Sequence, residues 1–116
     1  MTNGGESGNI KHRDNEDFDF DDAKITRFML YENGKHYKEF VNVGYSSDNP
    51  QQLYDDITEQ FDKNKLVYRG INSGGNESYN QLMRLGVTRK KNFMTGFEIR
   101  DGRLRFVTAF MVPGVD

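Results

Sequence analysis

One of the two histidines in the chain lies between lysines, in the sequence Lys35-His36-Tyr37-Lys38. An imidazole can accept or donate a proton near neutral pH, and neighbouring ammonium groups can stabilise the charge that develops on a reacting phosphate. A solvated basic helix face has the same composition. The pattern therefore predicts either an acid–base site for phosphate chemistry at Lys35, His36 and Lys38, or an ordinary charged surface.

The C-terminal part of the chain contains a carboxylate among arginines. An Asp-Gly dipeptide at residues 101–102 separates two stretches of alternating residues, which predicts a two-residue hairpin with a type I′ turn. That register places Glu98 opposite Arg105, close to Arg100 and Arg103 at the turn. Such a carboxylate can act as a base beside phosphate-binding groups, and a cross-strand ion pair that only stabilises the sheet is the alternative.

The same register predicts a row of facing apolar side chains that includes two threonines. The predicted pairs are Phe93 with Phe110, Thr95 with Thr108, Phe97 with Phe106, and Ile99 with Leu104. A hydroxyl that is buried without a partner costs about 1–3 kcal/mol. Either the two threonines bond to each other across the strands, or the sheet opens at that level and Thr108 becomes a hydroxyl donor at the floor of a cleft.

Charge is distributed unevenly along the chain. The formal net charge of −2 combines −5 for residues 1–23, −3 for residues 24–62 and +6 for residues 63–116. Clustered Lys and Arg are typical of proteins that bind a polyanion, and also of a solvated sheet face. The predicted nucleic-acid contacts are Arg69, Arg84, Arg89, Lys90, Lys91, Arg103 and Arg105.

Composition excludes several classes of site. The chain has no cysteine, which rules out disulfides, a thiol nucleophile and thiolate metal ligands, and two histidines are a poor set for zinc. We therefore expect no metal and no cofactor. Residues 1–8 lack the features of a signal peptide and no apolar run is long enough to span a membrane, so we expect a cytoplasmic protein unless a secreted or phage-borne parent protein delivers it.

Amphipathic stretches predict two to three helices in the first half. The first is capped by Asp21 or Asp22, the second covers residues 34–43 and ends at Gly44, and the third begins at Pro50. The predicted core-facing side chains are Ile25, Phe28 and Met29, then Tyr37, Phe40 and Val41, then Leu53, Tyr54, Ile57 and Phe61. Residues 1–22 are acidic and poor in large apolar side chains, so they are predicted to be a disordered tail or linker.

The second half is predicted to form a sheet. Residues 66–71 are rich in β-branched and aromatic side chains and end in a cluster of turn-forming residues. Residues 77–85 fit either a helix or a strand. With the C-terminal hairpin these stretches predict an α+β fold, in which N-terminal helices pack on an antiparallel sheet of about four strands, as one domain over residues 23–116.

Short stretches within residues 24–113 resemble one known domain family. They are Lys24-Ile25-Thr26-Arg27-Phe28-Met29-Leu30, Gly34-Lys35-His36-Tyr37-Lys38-Glu39-Phe40, Gly44-Tyr45, Asn49-Pro50, Leu53, and Gly102-Arg103-Leu104-Arg105-Phe106-Val107-Thr108-Ala109 before Pro113. The family occurs at the C-terminal ends of bacterial polymorphic toxins and in phage-associated proteins, and is similar to metal-independent nucleases that include barnase, EndoU, colicins D and E5, and RelE. The resemblance implies a strand at residues 77–85 and polar site positions at Lys24, Lys35, Lys38, Tyr79 and Thr108.

The resemblance further implies a toxin-type, metal-independent endoribonuclease, with tRNA as a candidate substrate and a cognate inhibitor or immunity protein as a partner. In such enzymes the RNA 2′-hydroxyl attacks the adjacent phosphate, so the protein supplies an acid–base group and cations. The predicted catalytic set is Lys35, His36, Lys38 and Thr108. The alternative is a non-catalytic phage or mobile-element module that binds nucleic acid or a protein through the basic C-terminal hairpin.

Overall fold

The protein is described by a computed structural model that covers residues 10–32, 34–87 and 91–112. Its elements are a π-helical segment (Lys24–Met29), helices α1 (Tyr37–Asn42) and α2 (Pro50–Gln60), a 3-10 helix (Lys63–Lys65), and strands β1 (Val67–Ile71), β2 (Glu77–Leu85), β3 (Lys91–Arg100) and β4 (Arg103–Met111). The strands form one antiparallel sheet in the order β1-β2-β3-β4. The predicted α+β architecture is confirmed.

Residues 77–85 form a strand, the alternative that the family resemblance favoured. β2 is an inner strand, and its side chains alternate between the two faces of the sheet. Met83 and Leu85 are buried under the helices, whereas Leu82 is exposed on the other side. β3 pairs with this segment along residues 78–85 and β1 pairs with residues 77–80, and this strand pairing outweighs the slight helical propensity.

Helix α2 forms as predicted and supplies most of the helical contribution to the core. It begins with Pro50 in the first turn and buries Leu53, Tyr54 and Ile57. Helix α1 is shorter than predicted, and only Phe40 of its predicted face is buried, where its ring stacks on Phe93. No helix among the described residues combines the length and the apolar character that a membrane span requires.

The first predicted helix is a π-helical segment, and this changes which side chains reach the core. The Leu30 N–H donates to the carbonyl of Ile25, five residues back, at 3.2 Å. Ile25 and Met29 are buried, whereas Phe28 is 53% exposed, so its predicted place in the core is wrong. The i→i+5 bond widens the turn, which rotates Phe28 away from the face that Ile25 and Met29 share.

The prediction of a disordered tail is wrong for residues 10–22. Ile10, Phe18 and Phe20 are buried, and the Phe20 ring stacks on Phe106 with ring centroids 5.0 Å apart. The backbone of Asp19 also pairs with β4. An extended segment needs no core of its own when it can add its apolar side chains to an existing one. The part of the predicted tail before Ile10 lies outside the described residues.

The C-terminal hairpin forms, but its register changes along its length. Asp101 and Gly102 have φ values of 53° and 79°, as a type I′ turn requires. Phe97 faces Phe106 and Ile99 faces Leu104, as predicted, until a bulge adds one residue to β4. Beyond the bulge, Thr108 faces Gly96, Thr95 faces Ala109, and Phe93 faces Met111. The predicted pairs Phe93 with Phe110 and Thr95 with Thr108 are therefore wrong.

Candidate active site

The bulge in β4 determines which side chains leave the core beside it. Ala109 is buried and Met111 packs against the helices, so Thr108 and Phe110 project on the other side of the strand. Alternate residues of a strand are about 7 Å apart. A Cβ atom on Gly96 would lie 3.1 Å from Cγ2 of Thr108, so the glycine makes room for Thr108 over β3.

His36 is fixed beside Phe110. Its Nδ1 lies 2.7 Å from Oε2 of Glu39, and its ring centroid is 5.6 Å from that of Phe110. An ionised carboxylate only accepts hydrogen bonds, so Nδ1 is assigned as the donor and Nε2 is the ring nitrogen left to face a ligand. Nε2 has no hydrogen-bond partner within residues 10–32, 34–87 and 91–112. His36 therefore offers a free, oriented proton acceptor.

Glu39 also anchors this arrangement to the sheet. Its Oε1 accepts a hydrogen bond of 2.6 Å from the backbone N–H of Met111, near the end of β4. One carboxylate thus connects α1, the histidine and the edge strand. Sequence reasoning did not select Glu39; its i,i+3 spacing from His36 was the available signal.

Gly34 allows the loop before His36 to approach the π-helical segment closely. A Cβ atom at this position would clash with the carbonyl oxygen of Phe28, so no residue with a side chain fits here. The Gly34 N–H donates to the Tyr31 carbonyl, and its own carbonyl accepts from Tyr37. This tight loop sets where α1 begins and hence where His36 lies.

The predicted catalytic residues line two depressions on the surface. An open depression of about 200 Å³, here called the histidine depression, is lined by Lys35, His36 and Lys38 together with Glu32, Gly34, Tyr37 and Glu39. A second of about 190 Å³, the threonine depression, is lined by Lys24, Phe28, Met29, Val107 and Thr108. Phe110, two residues after Thr108 on β4, lies beside His36 with the ring centroids 5.6 Å apart. The two depressions have no lining residue in common, and β4 is the element that leads from one toward the other.

The two threonines have separate roles. Thr95 is fully buried and its hydroxyl donates to the carbonyl of Gln81 at 2.7 Å, which satisfies it without Thr108. Thr108 is partly exposed, and its hydroxyl has no partner in the described parts of the chain. Both alternatives assumed that Thr95 faces Thr108, so neither holds as predicted: the bulge turns Thr108 to the other side of β4, where it lines the threonine depression.

Glu98 stabilises a turn. Its Oε1 accepts hydrogen bonds from the side-chain amides of Asn72 and Asn76, at 2.9 and 3.5 Å, and its Oε2 lies 3.8 Å from Nε of Arg100. These contacts tie the β1–β2 turn to β3, and the carboxylate is largely covered. Glu98 faces Arg105 as predicted, but among the described residues its ion pair is with Arg100 of the same strand, so the predicted cross-strand ion pair is not formed.

The predicted nucleic-acid contacts do not form one surface. Arg69 lies on β1, which is the edge strand at the other end of the strand order from β4. Arg84 and Lys91 lie where β2 and β3 meet, at the far end of the sheet from Arg103 and Arg105. Arg89 and Lys90 fall outside the described residues.

Tyr79 is separated from the candidate site. It faces Phe97, which in turn faces Phe106, so it lies on the helix-covered side, two strands from Thr108. Its hydroxyl donates to Glu77, and its ring lies 5.5 Å from that of Tyr68. Tyr79 therefore packs with β1 instead of joining the histidine depression.

Arg103 is occupied by an acidic residue of the N-terminal segment. The Asp19 carboxylate accepts bonds from Nε and Nη2 of Arg103, the shortest at 2.6 Å. The bonds from Arg103 hold the pKa of Asp19 below its usual value. This exposed pair reinforces the backbone pairing of Asp19 with β4.

A second histidine cluster was missed because residues 1–22 were assigned to a tail. His12 has one ring nitrogen 2.5 Å from Glu16 and the other 2.5 Å from Asp22. Burial lowers the pKa of His12, but the bonds to the two carboxylates outweigh it, so the pKa is raised. Burial and a hydrogen bond to Glu16 raise the pKa of Tyr54 to about 12. Both ring nitrogens of His12 have a carboxylate partner, so this cluster stabilises the fold of residues 10–22.

Comparisons of the chain with protein-family models, with curated proteins and with solved structures found no match. Within the described residues, no group of three or more Asp, Glu or His side chains is arranged to hold a metal ion. The polar groups in the two depressions are the imidazole of His36, the hydroxyl of Thr108 and the ammonium groups of Lys24, Lys35 and Lys38.

Proposed function

We propose that the domain is a metal-independent ribonuclease whose active site lies along β4. The observation that carries the proposal is the position of His36, with Nδ1 bound to Glu39, the ring against Phe110, and Nε2 free. A carboxylate that binds one nitrogen of an imidazole orients the ring and leaves the other nitrogen to exchange protons with a substrate.

In the proposed reaction, Nε2 of His36 accepts the proton of the RNA 2′-hydroxyl as that oxygen attacks the adjacent phosphorus. The bond from phosphorus to the 5′ oxygen breaks, and the leaving oxygen takes a proton from the imidazolium or from water. The products are a 2′,3′-cyclic phosphate and a 5′-hydroxyl. The step involves no redox change.

The remaining residues act on the phosphate. Lys35 and Lys38 border the same depression as His36, and their ammonium groups stabilise the charge on the phosphoryl oxygens. Thr108 donates its hydroxyl to a phosphate oxygen, with Lys24 beside it. Glu39 is a positioning residue, because it acts through His36.

The resemblance to toxin domains supports a toxin-type role for this ribonuclease. Under this proposal tRNA is the first RNA to test, and the partner is an inhibitor protein that protects the producing cell. The competing proposal, a module that binds RNA or a protein without cleaving it, is favoured by the exposed side chain of Arg100 at the hairpin tip. Arg103 beside it is held by Asp19 and would have to exchange that carboxylate for the ligand.

Inducible expression in a bacterium, followed by gel analysis of total RNA, tests the proposal. We expect growth arrest and discrete RNA fragments with the wild type, and neither with His36→Ala or with Lys35→Ala/Lys38→Ala. The matched control is Lys63→Ala/Lys65→Ala, which removes two exposed lysines from the 3-10 helix and should leave cleavage unchanged. Intact RNA with a folded wild-type protein would overturn the proposal, and RNA binding without cleavage would favour the binding module.

A further inference from the structure

Phe28 is unusual among the phenylalanines of this protein. The chain has nine, all within the described residues, and Phe28 is the one with an exposed side chain. Its side chain is 53% exposed, so the ring can contact a ligand without any change in the core.

The backbone that carries this ring is held on both sides. Ile25 and Met29, its neighbours in the π-helical segment, are buried, and Gly34 packs directly on the Phe28 carbonyl. π-helical turns in proteins often occur at functional sites. Phe28 therefore presents an aromatic face from a fixed backbone, which lowers the entropic cost of binding a ligand against it.

The surroundings of Phe28 match the parts of a nucleotide. The threonine depression combines the aromatic ring with the Lys24 ammonium, the Thr108 hydroxyl and an apolar wall formed by Met29 and Val107. A nucleotide has a flat base that stacks on aromatic side chains, a phosphate that binds cations, and ribose hydroxyls that form hydrogen bonds.

We propose that Phe28 is a stacking platform for a nucleobase next to the scissile phosphate. This inference rests on the proposed function, because it takes RNA as the ligand. It makes single-stranded RNA the substrate class, since a base paired within a duplex cannot turn out to stack on a side chain. The stacked base places its phosphate over Lys24 and Thr108, toward His36.

The absence of tryptophan from the chain allows a direct test. Phe28→Trp creates a single fluorescent reporter at the proposed platform. We expect a single-stranded 2′-O-methyl oligonucleotide, which cannot be cleaved, to quench this fluorescence, and the matching oligonucleotide with abasic sites to leave it unchanged. The control is Tyr68→Trp on β1, at the opposite edge of the sheet, where the native side chain is 55% exposed.

Equal quenching of the two reporters, or no quenching of Phe28→Trp, would overturn the inference. Quenching that is as strong with the abasic oligonucleotide or with a duplex would also overturn it. Because these oligonucleotides are not cleaved, stacking is measured whether or not the domain is a ribonuclease. Stacking without any cleavage of RNA would leave Phe28 as a base-stacking residue of an RNA-binding module and would remove both the proposed function and the scissile phosphate next to the platform.

Cleavage kinetics give an independent measurement on an active enzyme. We expect Phe28→Ala to lower kcat/KM on single-stranded RNA about 10-fold to 100-fold, mainly through KM, and Phe28→Tyr to restore most of it. An unchanged kcat/KM for Phe28→Ala would overturn the stacking role and leave the proposed function intact.

Discussion

Glu39 connects His36 to the edge strand of the sheet: one carboxylate oxygen lies 2.7 Å from Nδ1 of His36, and the other accepts the backbone N–H of Met111 at 2.6 Å. The histidine thus takes its orientation from a residue that is itself fixed to the end of β4. The proposed chemistry depends on this connection.

Replacing Glu39 by Gln should therefore reduce cleavage without unfolding the domain. The amide oxygen can still accept the bond from Met111, but the side chain no longer carries the charge that stabilises a protonated His36. We expect kcat to fall at least about tenfold, with a changed pH–rate profile. Glu59→Gln, an exposed substitution on α2, is the control and should retain full activity with the wild-type profile. An unaltered pH–rate profile in Glu39→Gln would contradict the positioning role.

Gly96 should be necessary for the position of Thr108. A methyl group at residue 96 would lie 3.1 Å from Cγ2 of Thr108, so Gly96→Ala forces Thr108 to shift by a few tenths of an ångström. Because small displacements of reacting groups are costly, we expect kcat/KM to fall at least about tenfold. Adding Thr108→Ala to Gly96→Ala should then cause little further loss. Gly74→Ala is the control, because its added methyl group would lie at ordinary contact distance from its neighbours. If the losses in kcat/KM of the two single variants add fully in the double variant, Gly96 does not act through Thr108.

The N-terminal segment should be required for folding. Phe18 is buried against Phe97, with ring centroids 5.1 Å apart, so Phe18→Ala leaves a cavity. We expect its free energy of unfolding in urea to fall by about 3–5 kcal/mol. Phe28→Ala removes the same atoms from an exposed position and should change stability by less than about 1 kcal/mol. A stability equal to the wild type in Phe18→Ala would show that the segment is not part of the core.

The bonds of His12 to Glu16 and Asp22 should make the stability of the domain depend on pH. Its pKa in the folded protein is raised above the usual 6.5, so its contribution is fully present below pH 6.5 and is lost as the pH rises through the folded pKa. Urea unfolding at pH 6 and pH 9 should show a larger loss of stability for the wild type than for His12→Gln. Asp22→Asn, which removes one carboxylate partner of His12, should lose less stability between pH 6 and pH 9 than the wild type does. Identical pH dependence in all three proteins would contradict a stabilising role for the bonds of His12.

Much of the fold was predictable because local signals agreed with the packing. Pro50 and the apolar spacing of α2 placed that helix, and the Asp-Gly turn placed the C-terminal hairpin. The bulge in β4 has no comparable local signal, because it depends on how the strand meets the helices and the Asp19 segment. That single extra residue moved Thr108 and Phe110 out of the predicted core row.

The candidate site was predicted in part for the same reason. His36, Lys35 and Lys38 are neighbours in sequence and remain together in one depression. Glu39 was missed because its second contact, with Met111, joins residues that are distant in sequence. The burial of Phe18 and Phe20 was missed because composition alone assigns an acidic segment to solvent, whereas a few well-spaced aromatic residues suffice to dock it on an existing core.

The chemical nature of the RNA ends tests the central claim most directly. Purified protein is incubated with a short RNA in EDTA, and the products are analysed by mass spectrometry, beside His36→Ala and an RNA with a 2′-deoxy substitution at the mapped cleavage position. The account predicts 2′,3′-cyclic phosphate and 5′-hydroxyl ends with the wild type alone, and no cleavage with either control. Ends with a 3′-hydroxyl and a 5′-phosphate, cleavage that EDTA abolishes, or intact RNA with folded protein would contradict it.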